Sequence, residues 1–273
     1  MLKSKNKKNS ITFIHANGFP PDSYKSILNF FEDNYHINKF LLRPLWKEKT
    51  DYKKIKSWSI FCNDFENYLN IENITKCIGI GHSIGGNIVL HTAIKEPDYF
   101  SKIILLDPTL FPPKIIFIWK FLNLFNLQEK ILDLSKSAKN KKMKYKNYEE
   151  IFNNYRSKKI FKLIKDKDLK RYINSITRVN SDNSIDINYS NNWERTIYNK
   201  GLIKDNYIWK NIENLKLPCL IIAAENSTAF PYSSIKKIKK KNQSIQIEIL
   251  KGVTHLFPFE KPEKVNDIIN DFI

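Results

Sequence analysis

The sequence predicts an α/β protein: a mostly parallel sheet of about six strands flanked by helices, with a helical cap inserted. Three observations lead there. Short β-branched runs alternate with helix-length amphipathic stretches, the pattern of parallel strands joined by crossovers. A glycine-rich turn at residues 79–86 joins one such run directly to a helix-length segment. Between Pro112 and Leu217, roughly 105 residues carry no convincing buried strand, too many for a loop inside one compact domain.

The strand candidates are Ile11–His15, Ile37–Leu42, Cys77–Ile80, Ile103–Asp107, Leu220–Ala223 and Ile245–Leu250. Tyr24–Asn34, Ile60–Asn70 and Asn87–Lys95 have helical spacing and fall between the first four. In Pro262–Ile273, Val265, Ile268, Ile269 and Phe272 share one helical face, which packs onto the sheet. The long interval offers amphipathic helices at Lys114–Leu134, Tyr148–Tyr155, Asp168–Thr177 and Asn192–Asn199. The expected division is a core of residues 1–111 and 215–273 and a helical cap of residues 112–214. The cap departs after the fourth strand and returns at the fifth, above the carboxyl ends where such sheets bind ligands.

With 273 residues the chain can bury one large core. A formal charge of +18 raises nucleic acid as a partner. The basic residues are spread along the chain, however, and only five are arginine, the side chain best matched to phosphate and base edges. Lysine, isoleucine and asparagine are abundant together, as A/T-rich codons produce, so no nucleic-acid partner is expected. No stretch reaches the roughly 18–20 apolar residues of a membrane span, since Ile115–Leu127 is interrupted by Lys120, Asn123 and Asn126. The basic Met1–Ser10 lacks the apolar region and cleavage site of a secretory signal. Cys62, Cys77 and Cys219 have neither paired nor metal-ligand spacing. The expectation is a cytoplasmic protein with reduced thiols, acting on a small molecule without metal or organic cofactor; oligomeric state is left open.

Chemistry concentrates at Gly81-His82-Ser83-Ile84-Gly85, a G-x-S-x-G turn between strand and helix. So sharp a turn strains Ser83, lifts its hydroxyl above the sheet and leaves the Ile84 N–H free to bind an oxyanion. A serine hydroxyl needs a base. Among the five histidines, His255 lies just past the last strand, at the same sheet edge as Ser83. A third residue must fix its tautomer. No aspartate follows the fifth strand, where Ser227 and Thr228 stand instead. Two acids remain: Asp107, closing the fourth strand behind an apolar run, is the expected triad acid, and Glu225, in the fifth-strand loop, is the alternative. The second oxyanion donor falls in Asn17–Phe19, as a backbone N–H or the Asn17 side-chain amide. His82 points away from Ser83 and joins Arg43, Trp46 and Trp119 among the expected pocket residues, and Trp119, Phe121 and Phe125 suggest a greasy roof.

Together these residues resemble the α/β-hydrolase superfamily. Four blocks carry the resemblance: Phe13–Pro20, Gly79–Gly86, Ile103–Pro108 and Val253–Pro262. Three departures stand out. About ten residues precede the first strand, so the usual first hairpin is expected to be absent or vestigial; Ala16 replaces a glycine in the oxyanion loop; and Leu42–Trp46 replaces the usual D-x-R-G-x-G loop. Some members of the superfamily place the triad acid after the earlier strand, which suits Asp107. The resemblance implies a serine esterase or thioesterase working through an acyl-enzyme. A C–C bond hydrolase or aminopeptidase with the same triad, and a non-catalytic ligand-binding protein on this scaffold, are the alternatives.

Overall fold

Six parallel strands form the main sheet of the computed structural model, which describes residues 9–48, 50–125, 127, 131–201 and 206–273. They are β1 (Ser10–Ile14), β2 (His36–Phe40), β3 (Cys77–His82), β4 (Phe100–Leu106), β5 (Cys219–Asn226) and β6 (Gln246–Thr254). β3 is buried along its whole length and β1 from Ile11 onward, as parallel strands covered on both faces require. Alternation along β4 assigns the faces: Ile103 and Leu105 join one apolar cluster, Ile104 and Leu106 the other. Helices α1 (Lys25–Phe31) and Pro262–Phe272 cover one face through Leu28, Phe31, Val265 and Ile269. Helices α2 (Ser59–Ile71) and α3 (Ile84–Lys95) cover the other through Phe61, Phe65 and Ile88. Each such side chain contributes about 1.5–3 kcal/mol by leaving water.

The strand order is β2-β1-β3-β4-β5-β6, so chain direction across the sheet reverses between β1 and β3. At such a reversal the loops diverge and open a crevice beyond the carboxyl ends. Register then aligns the loops that matter. His82 pairs with Leu106, which puts Ser83 and Asp107 one residue past neighbouring strand ends. Asn226 pairs with Thr254, which brings residue 255 to the same rim.

From Asp107 to Pro218 the chain leaves the sheet. It forms α4 (Pro113–Leu124) and further helices at Asp133–Lys139, Tyr148–Arg156, Asp166–Ile176, Asn191–Lys200 and Asn206–Asn211. Of the single helix expected over Lys114–Leu134, the described residues give α4, which ends at Leu124, and the start of the helix at Asp133, while residues 126 and 128–130 lie outside the described ones. Besides the expected helices, the insertion carries short strands. Lys144–Tyr145, Thr177–Val179 and Ile185–Ile187 form a small antiparallel sheet with the last in the middle. Strands of two or three residues are too short to show a period, and a turn at Asn180–Ser184, held by Asn180 N–H to Ser184 carbonyl at 2.8 Å, joins two of them. Tyr145, Tyr172, Ile185 and Tyr189 share an apolar cluster with Phe13 and Phe257, so this insertion packs directly on the sheet's upper edge.

Candidate active site

Between β3 and α3 the chain turns in a single residue. Ser83 takes φ 58° and ψ −120°, a backbone conformation that L residues avoid. Its N–H donates to the Leu106 carbonyl at 3.0 Å, and its carbonyl accepts from Thr109 N–H at 3.1 Å, so the β4 end holds the strained turn. A Cβ on Gly81 would collide with the Gly85 carbonyl, and one on Gly85 with the Ile14 carbonyl. Only glycine fits at both.

His255 meets Ser83: Nε2 lies 3.0 Å from Ser83 Oγ, and Nδ1 lies 2.6 Å from Asp107 Oδ2. Its loop is braced from behind, because Thr254 donates both its N–H and its hydroxyl to the buried Glu260 carboxylate. Asp107 is fully buried and holds φ 42°. A buried carboxylate is costly unless its lone pairs find donors. Here three converge: Ala224 N–H at 3.0 Å on Oδ1, with the Ser227 hydroxyl and His255 on Oδ2. Ser227, standing where the sequence lacks an aspartate, thus seats the aspartate of another strand. Glu225 is exposed and its carboxylate accepts Gly252 N–H at 2.8 Å. Of the two acids, the fold brings Asp107 to His255.

A second polar line lies beneath. Ala16 N–H donates to the Tyr24 hydroxyl at 3.2 Å, and that hydroxyl donates to His82 Nδ1 at 2.7 Å. His82 Nε2–H then donates to the His255 carbonyl at 2.9 Å. Burial first, and then the neighbouring His255 ring, hold the His82 pKa well below its ordinary 6.5, so the ring is neutral. His82 is completely buried beneath the site, which corrects its expected place in the pocket. His15 is neutral for the same reason, its pKa lowered by burial to about 4. It donates from Nδ1 to the Ala16 carbonyl at 2.8 Å and accepts Leu42 N–H on Nε2 at 3.1 Å.

The oxyanion loop is narrowed to fewer candidates. Asn17 Nδ2 donates to the Glu194 carbonyl at 2.9 Å while Oδ1 accepts from the Tyr189 hydroxyl at 3.0 Å, so its side-chain amide is engaged by the insertion. Phe19 N–H closes a turn onto the Ala16 carbonyl at 3.1 Å, with Gly18 at φ 80°. Phe19 is therefore corrected from donor to wall: its N–H is committed to the turn and the residue borders the cavity. Ile84, at the first turn of α3, also borders it.

A cavity of about 380 Å³ opens above Ser83 and His255, walled by Trp58, Phe111, Ile115, Trp119, Ile197 and Leu256. Trp119 lies in this wall. Arg43 and Trp46, expected there, do not: Arg43 forms a two-pronged pair with Asp64, at 2.6 and 2.8 Å, and lies 5.2 Å from the Trp46 ring, away from the cavity. The carboxylate of Asp64 satisfies the guanidinium more fully than a cavity rim could. Phe121 and Phe125 turn outward to solvent rather than roofing the cavity. Sequence reasoning misses Thr109, whose Oγ1 lies 3.1 Å from Ser83 Oγ, as well as Tyr24 and the seating role of Ser227. Thr109 follows Asp107 by two residues, so the strand-end position already pointed to it. Among the described residues no His, Cys, Asp and Glu cluster could hold a metal ion, and no helix is long and apolar enough to cross a membrane.

A family model described as serine aminopeptidase, S33 (Hydrolase_4) matches residues 51–262. The chain belongs to this family of α/β-hydrolases. It is 24% identical over 99 residues to the strigolactone esterase RMS3 of Pisum sativum, 35% of this chain and 37% of that protein. It is 29% identical over 127 residues to the type I acyl-CoA thioesterase mpaH of Penicillium brevicompactum, 40% of this chain and 29% of that protein. The chain thus matches well under half the length of either relative. Among solved structures, E-2-(acetamidomethylene)succinate hydrolase superposes with a TM-score of 0.78 at 13% identity, over 97% of this chain and 91% of that one. That likeness shows the shared fold, including the six-stranded parallel sheet.

Proposed function

We propose that this hydrolase cleaves a carboxylic ester or thioester of a small to medium, fairly apolar acyl group through an acyl-enzyme on Ser83. One observation carries the reading: Ser83 Oγ, His255 and Asp107 stand in hydrogen-bond sequence, at 3.0 and 2.6 Å, on the floor of an apolar cavity. Ser83 Oγ attacks the acyl carbon as His255 Nε2 takes its proton, and Asp107 stabilises the imidazolium from Nδ1. The proton then passes to the departing alcohol or thiol. Water gives a proton to His255 and attacks the acyl carbon; the acid leaves and Ser83 regains its hydrogen. The oxyanion falls to Ile84 N–H and a loop amide. Ala16 N–H goes to Tyr24, Gly18 N–H faces the Tyr189 hydroxyl and Phe19 N–H goes to Ala16, so Asn17 N–H is the proposed second donor. Such donors contribute about 3–4 kcal/mol each to lowering the barrier.

The similarity to an esterase and an acyl-CoA thioesterase supports acyl transfer to water from oxygen or sulfur. Cleaving a peptide at its free amino end calls for a carboxylate to receive the ammonium group. Among the described residues none lines the cavity, which weighs against that activity. Residues 112–214 are read as the cap that shapes this cavity, and three buried cysteines outside any disulfide suit a reducing cytoplasm. A fluorophosphonate probe should label Ser83, as peptide mapping would show, and Ser83→Ala should abolish labelling. Labelling elsewhere, or none, overturns the mechanism; p-nitrophenyl esters against acyl-CoA thioesters then decide the leaving group.

A further inference from the structure

Helix α4 has two apolar sides. Ile116 and Trp119 face inward, buried, with Trp119 in the cavity wall. The outer side should then be polar, as on ordinary surface helices. Instead Phe117 and Leu124 are 74% and 73% exposed, and Ile118, Phe121 and Phe125 are each more than half exposed. Phe121 and Phe125 pack ring to ring at 4.9 Å, so the side chains form one surface rather than scattered points. Together they expose on the order of 500 Å², at the upper end of what soluble monomers leave in water. The surface continues to the cavity rim, where Ile115, Leu134 and Ile160 are also exposed.

Charge selects the occupant. Lys114 and Lys120 interleave with the apolar residues, and Lys200 reaches Asn123 near the end of α4 at 3.3 Å. No acidic residue occurs between Asp107 and Glu129. A second copy seated here would bring like lysines together on chains that each carry +18. An anionic lipid surface meets the same lysines with opposite charge and accepts the phenylalanines into its acyl boundary. We propose that α4 docks in the plane of an anionic membrane surface, with the cavity rim turned toward the lipid. This docking holds whatever reaction the cavity performs, and its readout is binding rather than turnover.

The test is flotation of the whole protein with phosphatidylcholine vesicles, plain or containing about one-third phosphatidylglycerol. Binding to the anionic vesicles should exceed binding to the plain ones about tenfold and weaken with added salt. Phe117→Ser with Phe121→Ser should weaken it about tenfold, as should Lys114→Glu with Lys120→Glu. Unchanged thermal unfolding and retained probe labelling of Ser83 would show both variants intact and keep this result separate from the catalytic proposal. Four outcomes overturn the docking: no flotation, equal flotation with both vesicles, flotation that survives the paired serines, or a dimer that those serines disperse without any vesicle binding.

Discussion

Beneath the floor of the cavity, Asp107, His82 and His15 each use both polar atoms of the side chain in hydrogen bonds within the protein. The roof helix α4 meets solvent with five large apolar side chains. Proton transfer tolerates little misplacement, so each donor and acceptor on the floor is pinned from two directions. Apolar contact has no direction, so the roof is free to serve access and fit instead. On the proposed mechanism, chemistry belongs to the floor, and selection and approach to the roof.

The contrast can be broken at several points. Ser83→Ala should cost about 10⁶-fold in turnover on the best ester, measured against uncatalysed hydrolysis, because no other group supplies the nucleophile. Asp107→Asn should cost about 10⁴-fold while Glu225→Gln costs little. Equal losses would mean that both acids serve the imidazole. Acid should weaken the floor next. The unfolded chain protonates His15 near its ordinary 6.5, but the folded chain holds it neutral down to about 4. Stability is therefore complete above pH 6.5 and falls as pH drops toward 4, by about 3 kcal/mol from His15 alone, with His82 acting in the same direction. Urea melts at pH 7 and 4.5 should show the drop, and His15→Gln should flatten the slope. Last, Ser227→Ala removes one charge-assisted donor from Asp107 and should lower kcat/KM by roughly 10–100-fold.

How much of this was legible in the sequence differs between the two regions as well. All six strands and the elbow could be read, because buried parallel strands are β-branched runs and the turn tolerates only glycine at residues 81 and 85. His255 followed from its place beyond the last strand. For the acid the sequence favours Asp107 over Glu225 without deciding it, because the choice depends on how the β5 loop folds back. Only the coordinates show Ser227 and Ala224 N–H turned toward β4. Arg43 is drawn away because its partner, Asp64, lies on α2, beyond any local pattern, and Trp46 stays with the Arg43 guanidinium and the Leu41 carbonyl. In the insertion, the single helix expected over Lys114–Leu134 and the missed strands share one cause. Helical period in an apolar run says nothing about where the chain bends, and two-residue strands have no period to read.

The clip on Asn17 has an engineering consequence. Tyr189 and the Glu194 carbonyl, both in the insertion, hold that side chain. Anyone transplanting a foreign lid onto this sheet would unfasten the loop beneath it. A workable chimera must carry partners for residue 17 along with the new specificity.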